Sequence, residues 1–127
     1  MLTTIDKGNY LKGMMIVARL DNKLMDREKE IIRDIANRLG FSRDFYEEVL
    51  KNLMINEHIK NTPITFSSPV ITRVFLREAL KLAYIDSDLA PEELDWLQKT
   101  AEVNNINAKE FEAFVAEFIE KQKDEAA

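Results

Sequence analysis

Carboxylates in two short turns are the side chains of this chain whose spacing could do chemistry. In LDNKLMDRE (20–28) and IDSDLAPEE (85–93), an Asp is followed three residues later by Leu and seven residues later by Glu. Hard oxygen donors grouped in this way can hold a divalent cation such as Ca²⁺ or Mg²⁺. The candidate metal ligands are Asp21, Glu28, Asp86, Asp88 and Glu93, with Glu92 beside them, provided the two turns meet near an approximate twofold axis. A divalent cation is the one cofactor these residues could take. The site would not be an EF-hand. Twelve-residue loops starting at Asp21 or Asp86 need Gly at the sixth place and Glu at the twelfth, and the chain has Asp26 and Pro91, then Ile32 and Leu97.

The same residues also have a purely structural use. Asp21 and Asp86 can accept hydrogen bonds from amides two or three residues on, as in an Asx-turn, while Leu24 and Leu89 plug the core. Met25 and Ala90 fall at helix N-caps, where a capping side chain is missing. Glu28 and Glu93, three residues further on, can reach back to the N-cap amide and complement the helix dipole. Metal binding and capping are both open on the sequence.

Other chemistries lack their residues. The absence of Cys removes disulfides, thiolate metal sites and cysteine nucleophiles, and fits a reducing compartment. His58 is the only histidine, so a histidine pair on zinc and the paired Glu-x-x-His of a di-iron bundle are excluded, and with no nucleophile motif to partner it His58 defines no triad and reads as a surface or connector residue. There is no glycine-rich phosphate loop. The chain is expected not to be an enzyme.

The elements that position the turns are helices. The chain has 127 residues with 46% apolar content, and only three Gly and three Pro to punctuate strands, so one all-α domain over 1–127 is expected. A shift of 65 residues superposes Asp21 on Asp86, Leu24 on Leu89, Glu28 on Glu93 and Ala36 on Ala101 without a gap. The fold expected is a bundle of about six helices made of two pseudo-symmetric three-helix repeats, roughly 10–53 and 69–118, with a connector over 54–68.

Helical spacing of apolar residues places the helices near 6–20, 26–39, 43–53, 69–85, 91–103 and 108–121. Ser68-Pro69, Ser42 and Asn107 are start signals, and Gly40 and Asn104-Asn105 are stops. Ile59, Ile64 and Phe66 should pack the connector, and the charged tail from Lys121 should fray. The stripe of Phe111, Phe114, Val115, Phe118 and Ile119 reads as core. Trp96 lies off the Leu94–Leu97–Ala101 line. Exposed, it would suit a protein interface with Glu92; otherwise it belongs to a second core layer.

Residues 1–60 carry 11 basic and 10 acidic side chains, whereas 61–127 carry 7 and 13. That balance argues against nucleic acid as a partner, and the local patch of Arg19, Lys23, Arg27 and Arg33 reads as a solvated helix face, with contact to an anionic partner as the alternative. The apolar stretch from Met14 to Leu20 is too short to span a bilayer or to serve as a secretion signal, so Met1 reads as the mature start. A protein partner, no membrane insertion and a cytoplasmic location are expected.

A helix ending in Ala-x-x-Asp, a short turn, Leu, and then an acidic opening to an apolar helix resembles the tellurite-resistance TerB family and the related amino-terminal domain of DjlA-type co-chaperones. ARLDNKLMDREKEII and AYIDSDLAPEELDWL carry the resemblance, which extends over about 10–118. It implies an all-helical acidic module of stress response or scaffolding. It further implies cation binding at Asp21, Glu28, Asp86 and Glu93, and association with membrane-bound complexes on the cytoplasmic side of the inner membrane. The chain differs from that pattern in having Asn22 and Ser87 where Gly is frequent, and Met25 and Ala90 where Ser opens the helix.

Overall fold

The computed structural model describes residues 2–85 and 88–126. Six α-helices account for most of them: α1 (Thr4–Arg19), α2 (Asp26–Arg38), α3 (Arg43–Lys51), α4 (Pro69–Ala83), α5 (Pro91–Val103) and α6 (Ala108–Ala126). A single 3₁₀ turn spans Leu53–Ile55. No strand occurs among the described residues.

α1 and α4 form the centre. From Tyr10 to Ala18, α1 buries every residue but Lys12, as expected of a helix with neighbours on most sides. It packs on α4, on α2 and on the 3₁₀ turn, while α4 in turn packs on α5 and α6. Gly13 sets the approach of α1 to α4. A Cβ there would lie 2.5 Å from both Phe75 Cζ and Ile64 Cδ1, so any larger residue forces these side chains to shift. Phe75, fully buried, meets Tyr10, Phe66 and Trp96 around its ring. Buried side chains from all six helices join in one apolar cluster.

The helix boundaries follow local chemistry. α2, α3, α4 and α5 begin where the start signals put them, and Ser42, Ser68 and Asn107 each accept a hydrogen bond from the amide three residues on. Gly40 and Asn105 both take positive φ, and the amides of Phe41 and Ile106 reach back to the carbonyls of Ala36 and Ala101. These are closures that left-handed residues permit after a helix. The starts of α1, α2 and α3 recur at the same 65-residue offset in α4, α5 and α6.

Three expectations are corrected. α1 starts at Thr4 rather than Asp6, because Thr3 and Asp6 make a reciprocal capping box in which the N3 acid is Asp instead of Glu. The third helix ends at Lys51 and tightens into the 3₁₀ turn before the connector. The tail does not fray at Lys121: α6 continues to Ala126, because its last turns lie beside α4, where Gln122 and Glu125 share a cleft with Arg77 and Lys81.

The connector is held by polar groups as well as by Ile64, Ile59 and Phe66. Asn104 at the end of α5 donates to Ile64 O and Thr100 O at 2.8 Å and accepts from Phe66 N at 2.9 Å. Arg19, expected on a solvated face, instead donates to the carbonyls of Leu53, Asn56 and Ile59 and to Asn61 Oδ1. Arg33 is paired with Glu47 at 2.5 Å.

Asp6 fastens the start of α1 to the segment before α4, accepting from Ser67 N at 2.9 Å and Ser67 Oγ at 2.5 Å. Burial raises its pKa, but the hydrogen bonds from Ser67 and Thr3 together outweigh burial and hold the carboxyl at about 2. A folded-state pKa below the unfolded value of about 3.9 contributes stability above that unfolded value, and the contribution is lost as pH falls toward 2. Ser67 is exposed, so water screens part of the effect. Asp6→Ala is expected to cost about 1.5 kcal/mol at pH 7, the low end for hydrogen bonds to a charged group. Urea unfolding at pH 7 and pH 2.5 checks this: the gap between wild type and variant should narrow at the lower pH, and an unchanged gap would remove the carboxylate's charge from the account.

Candidate functional site

The first acidic turn has the local geometry that capping requires. Asp21 Oδ1 accepts from Lys23 N at 3.0 Å, an Asx-turn, and Asn22 next to it adopts a left-handed φ of 62°. Leu24 packs on the core, Met25 is the N-cap of α2, and Glu28 Oε1 accepts from Met25 N at 3.1 Å. In the second turn, Leu89 packs on the core and Glu93 Oε1 accepts from Ala90 N at the same 3.1 Å. Asp86 lies outside the described residues, and Asp88 is exposed.

Glu28 and Glu93 are both buried. Capping accounts for a carboxylate at those positions: with Met25 and Ala90 unable to cap, the N3 acid satisfies a helix-terminal amide and faces the positive end of the dipole. Among the described residues, no three Asp, Glu or His side chains gather into a set that could hold a metal ion.

Trp96 is not available to a partner. It is 4% exposed and lies edge-on to Phe75 with ring centroids 6.3 Å apart, in the second core layer. The reason is positional: Trp96, one residue before Leu97, turns toward the Phe75 side of α5, so both walls of that helix are buried. Glu92, one turn earlier, stays exposed.

Two apolar hollows on the surface had no counterpart in the sequence reading. One, of about 310 Å³, is walled by Leu11 and Met15 of α1, Phe45 and Val49 of α3, and Ile59 of the connector. Phe45 is 51% exposed and stacks on Phe41 at 5.7 Å. The other, of about 320 Å³, lies over Leu39, Val70 and Val74. At its edge Glu78 joins three helices, accepting from Tyr10 Oη at 2.5 Å and Arg38 Nη2 at 2.7 Å; burial first, and then Glu78, push the Tyr10 phenol up. Phe45 carried a partial signal, since an aromatic on a short helix beside Asp44, Glu47 and Glu48 had no assigned core place. What leaves its outer face uncovered depends on Phe41 and the connector, residues the helical period does not bring together.

No helix among the described residues is long and apolar enough to cross a membrane. Compared with protein-family models, characterised proteins and solved structures, the chain matches none. The TerB-like resemblance therefore rests on the two turn motifs.

Proposed function

We propose that this chain is a non-enzymatic protein-interaction module, a TerB-like scaffold whose acidic turns serve chiefly to cap helices. The observation that carries the reading is the hollow at Phe45, where apolar walls and a half-exposed aromatic ring remain open to solvent. An exposed aromatic beside a concave apolar wall is what a partner's side chain needs. The capping bonds of Glu28 and Glu93 support a structural use of the acids. On the TerB-like reading the partner belongs to a stress-response complex at the cytoplasmic face of a membrane.

Crosslinking of the intact chain inside its source cells, followed by mass spectrometry, tests this proposal. A reproducible partner is expected beside a helical control protein of equal net charge, and its absence would remove the module reading. Calorimetric titration with Ca²⁺, Mg²⁺, Mn²⁺ and Zn²⁺ tests the other use of the acids. Saturable binding below millimolar ion, lost in Asp21→Asn, would replace structural capping with ion binding.

A further inference from the structure

We infer that the hollow between α1 and α3 docks an acidic amphipathic helix of a partner protein, with its apolar face on Phe45 and its carboxylates on Lys12. The inference deepens the module reading and rests on it. Its first support is the charge around the opening. Lys12 is the only charged side chain lining the hollow, and none of the ion pairs among the described residues involves it. The acids of α1 and α3 are turned elsewhere, and Glu57 of the connector is exposed and does not line the hollow. Asp6, the one acid of α1, is buried under Ser67. Asp44, Glu47 and Glu48 of α3 line a separate polar cleft with Lys29, Arg33 and Lys51. A single unpaired cation at the edge of apolar walls favours a partner that brings apolar and acidic groups together.

The second support is shape. One wall is a helix face, Leu11, Lys12 and Met15, and the opposite wall is another, Phe45 and Val49, each at the spacing of one helical turn. A partner helix lying between them can insert residues spaced i, i+3 or i+4, and i+7. No sheet edge exists among the described residues for a strand to extend. The volume lies near the lower limit of ligand pockets, about 300–1,000 Å³, which suits a few apolar side chains better than a cofactor. Gly8 stands at the same wall, and a Cβ there meets nothing within 4 Å, so the space beside α1 is open up to its backbone.

Two synthetic peptides provide the probe: an amphipathic helix with Leu at i, i+3, i+4 and i+7 and Glu on the flanks, and its twin with Lys in place of every Glu. Titrated into the isotope-labelled full chain by NMR, the Glu peptide should shift amides of α1, α3 and the connector around Ile59. It should bind about three- to fivefold more tightly than the Lys peptide, the size expected of a rim charge pair. Lys12→Glu should reverse the preference. Gly8→Leu, which places a side chain in the opening from a position where a Cβ meets nothing within 4 Å, should keep the fold and weaken the Glu peptide about tenfold, as should Phe45→Ser.

Equal binding of the twins by wild type, or no reversal in Lys12→Glu, would overturn the assignment of an acidic partner. Concentration-dependent dimers abolished by Gly8→Leu would give the hollow to a second copy and also overturn it. If Gly8→Leu keeps the crosslinked partner, the hollow is wrong while the module reading stands. Absence of both peptide binding and a crosslinked partner in the wild-type chain would remove the module reading too.

Discussion

Gly13→Ala is expected to destabilise the fold by about 2 kcal/mol, where the same change at Gly8 should stabilise it by about 0.5–1 kcal/mol. Both glycines are interior residues of α1, so the gain in helix propensity is shared. They differ in what a methyl group meets. At Gly8 it meets nothing within 4 Å, whereas at Gly13 it lies 2.5 Å from Phe75 and Ile64. The ring of Phe75 cannot step aside easily, being fully buried and hemmed by Tyr10, Phe66 and Trp96, and the Ile64 side chain, itself buried, has to change rotamer to make room. Overpacking of this kind costs about 1–3 kcal/mol, and its upper end less the propensity gain leaves the stated loss. Chemical denaturation of the two variants gives the comparison directly. Phe75→Leu should cost less in the Gly13→Ala background than alone, because it removes the ring atoms that clash, and a coupling above about 0.5 kcal/mol is expected. A Gly13→Ala protein more stable than wild type would show that α1 and α4 can separate at no cost.

The contrast between these glycines marks how far the sequence could be read. Helix starts at Pro69, Pro91 and after Ser42, and stops at Gly40 and Asn105, depend on residues within one turn of each other, so the local pattern carries them. The capping roles of Glu28 and Glu93 were legible for the same reason. Gly13 matters because of residues 51 and 62 positions away, which no helical period relates to it. Arg19 is illegible on similar grounds: its charge suggests solvent, while its partners are carbonyls more than 30 residues later. Trp96 was left between surface and core because the α5 stripe alone cannot say how many neighbours a helix has. The Thr3–Asp6 box is legible in principle, since a Thr-x-x-Asp before an apolar run is a start signal with the shorter acid.

The offset that relates the helix starts also relates their polar closures. Thr3 and Ser68 cap α1 and α4, and Ser42 and Asn107 cap α3 and α6. Between the halves, the residues that differ are the ones that meet other elements. Tyr10 reaches Glu78 through its hydroxyl, whereas Phe75, at the equivalent place, has none and lies wholly inside. By the same offset Tyr46 matches Phe111, and both are buried, whereas Phe45 matches Glu110, and both are exposed. The open apolar hollow is thus a property of the first half, where an aromatic stands at a position that faces solvent in both halves.

Removing the N3 carboxylates is the second large effect expected. Glu28→Ala and Glu93→Ala should each cost about 1–2 kcal/mol, because each leaves a helix-terminal amide without its acceptor and removes a negative charge from the positive end of a helix. The glutamine variants should fall between: an amide oxygen can still accept from Met25 N or Ala90 N, and only the charge–dipole part, about 0.3–1 kcal/mol, is lost. Asp21→Asn should be within about 0.5 kcal/mol of wild type, since the Asx-turn to Lys23 N needs an oxygen and not a charge. Thermal unfolding of these variants with and without millimolar Mg²⁺ or Ca²⁺ separates capping from coordination. Capping predicts the order Ala below Gln below wild type, unchanged by the ion. Coordination predicts an ion-dependent rise in wild-type stability that Asp21→Asn and both Gln variants lose together, because a cation couples to the charge that a cap can do without.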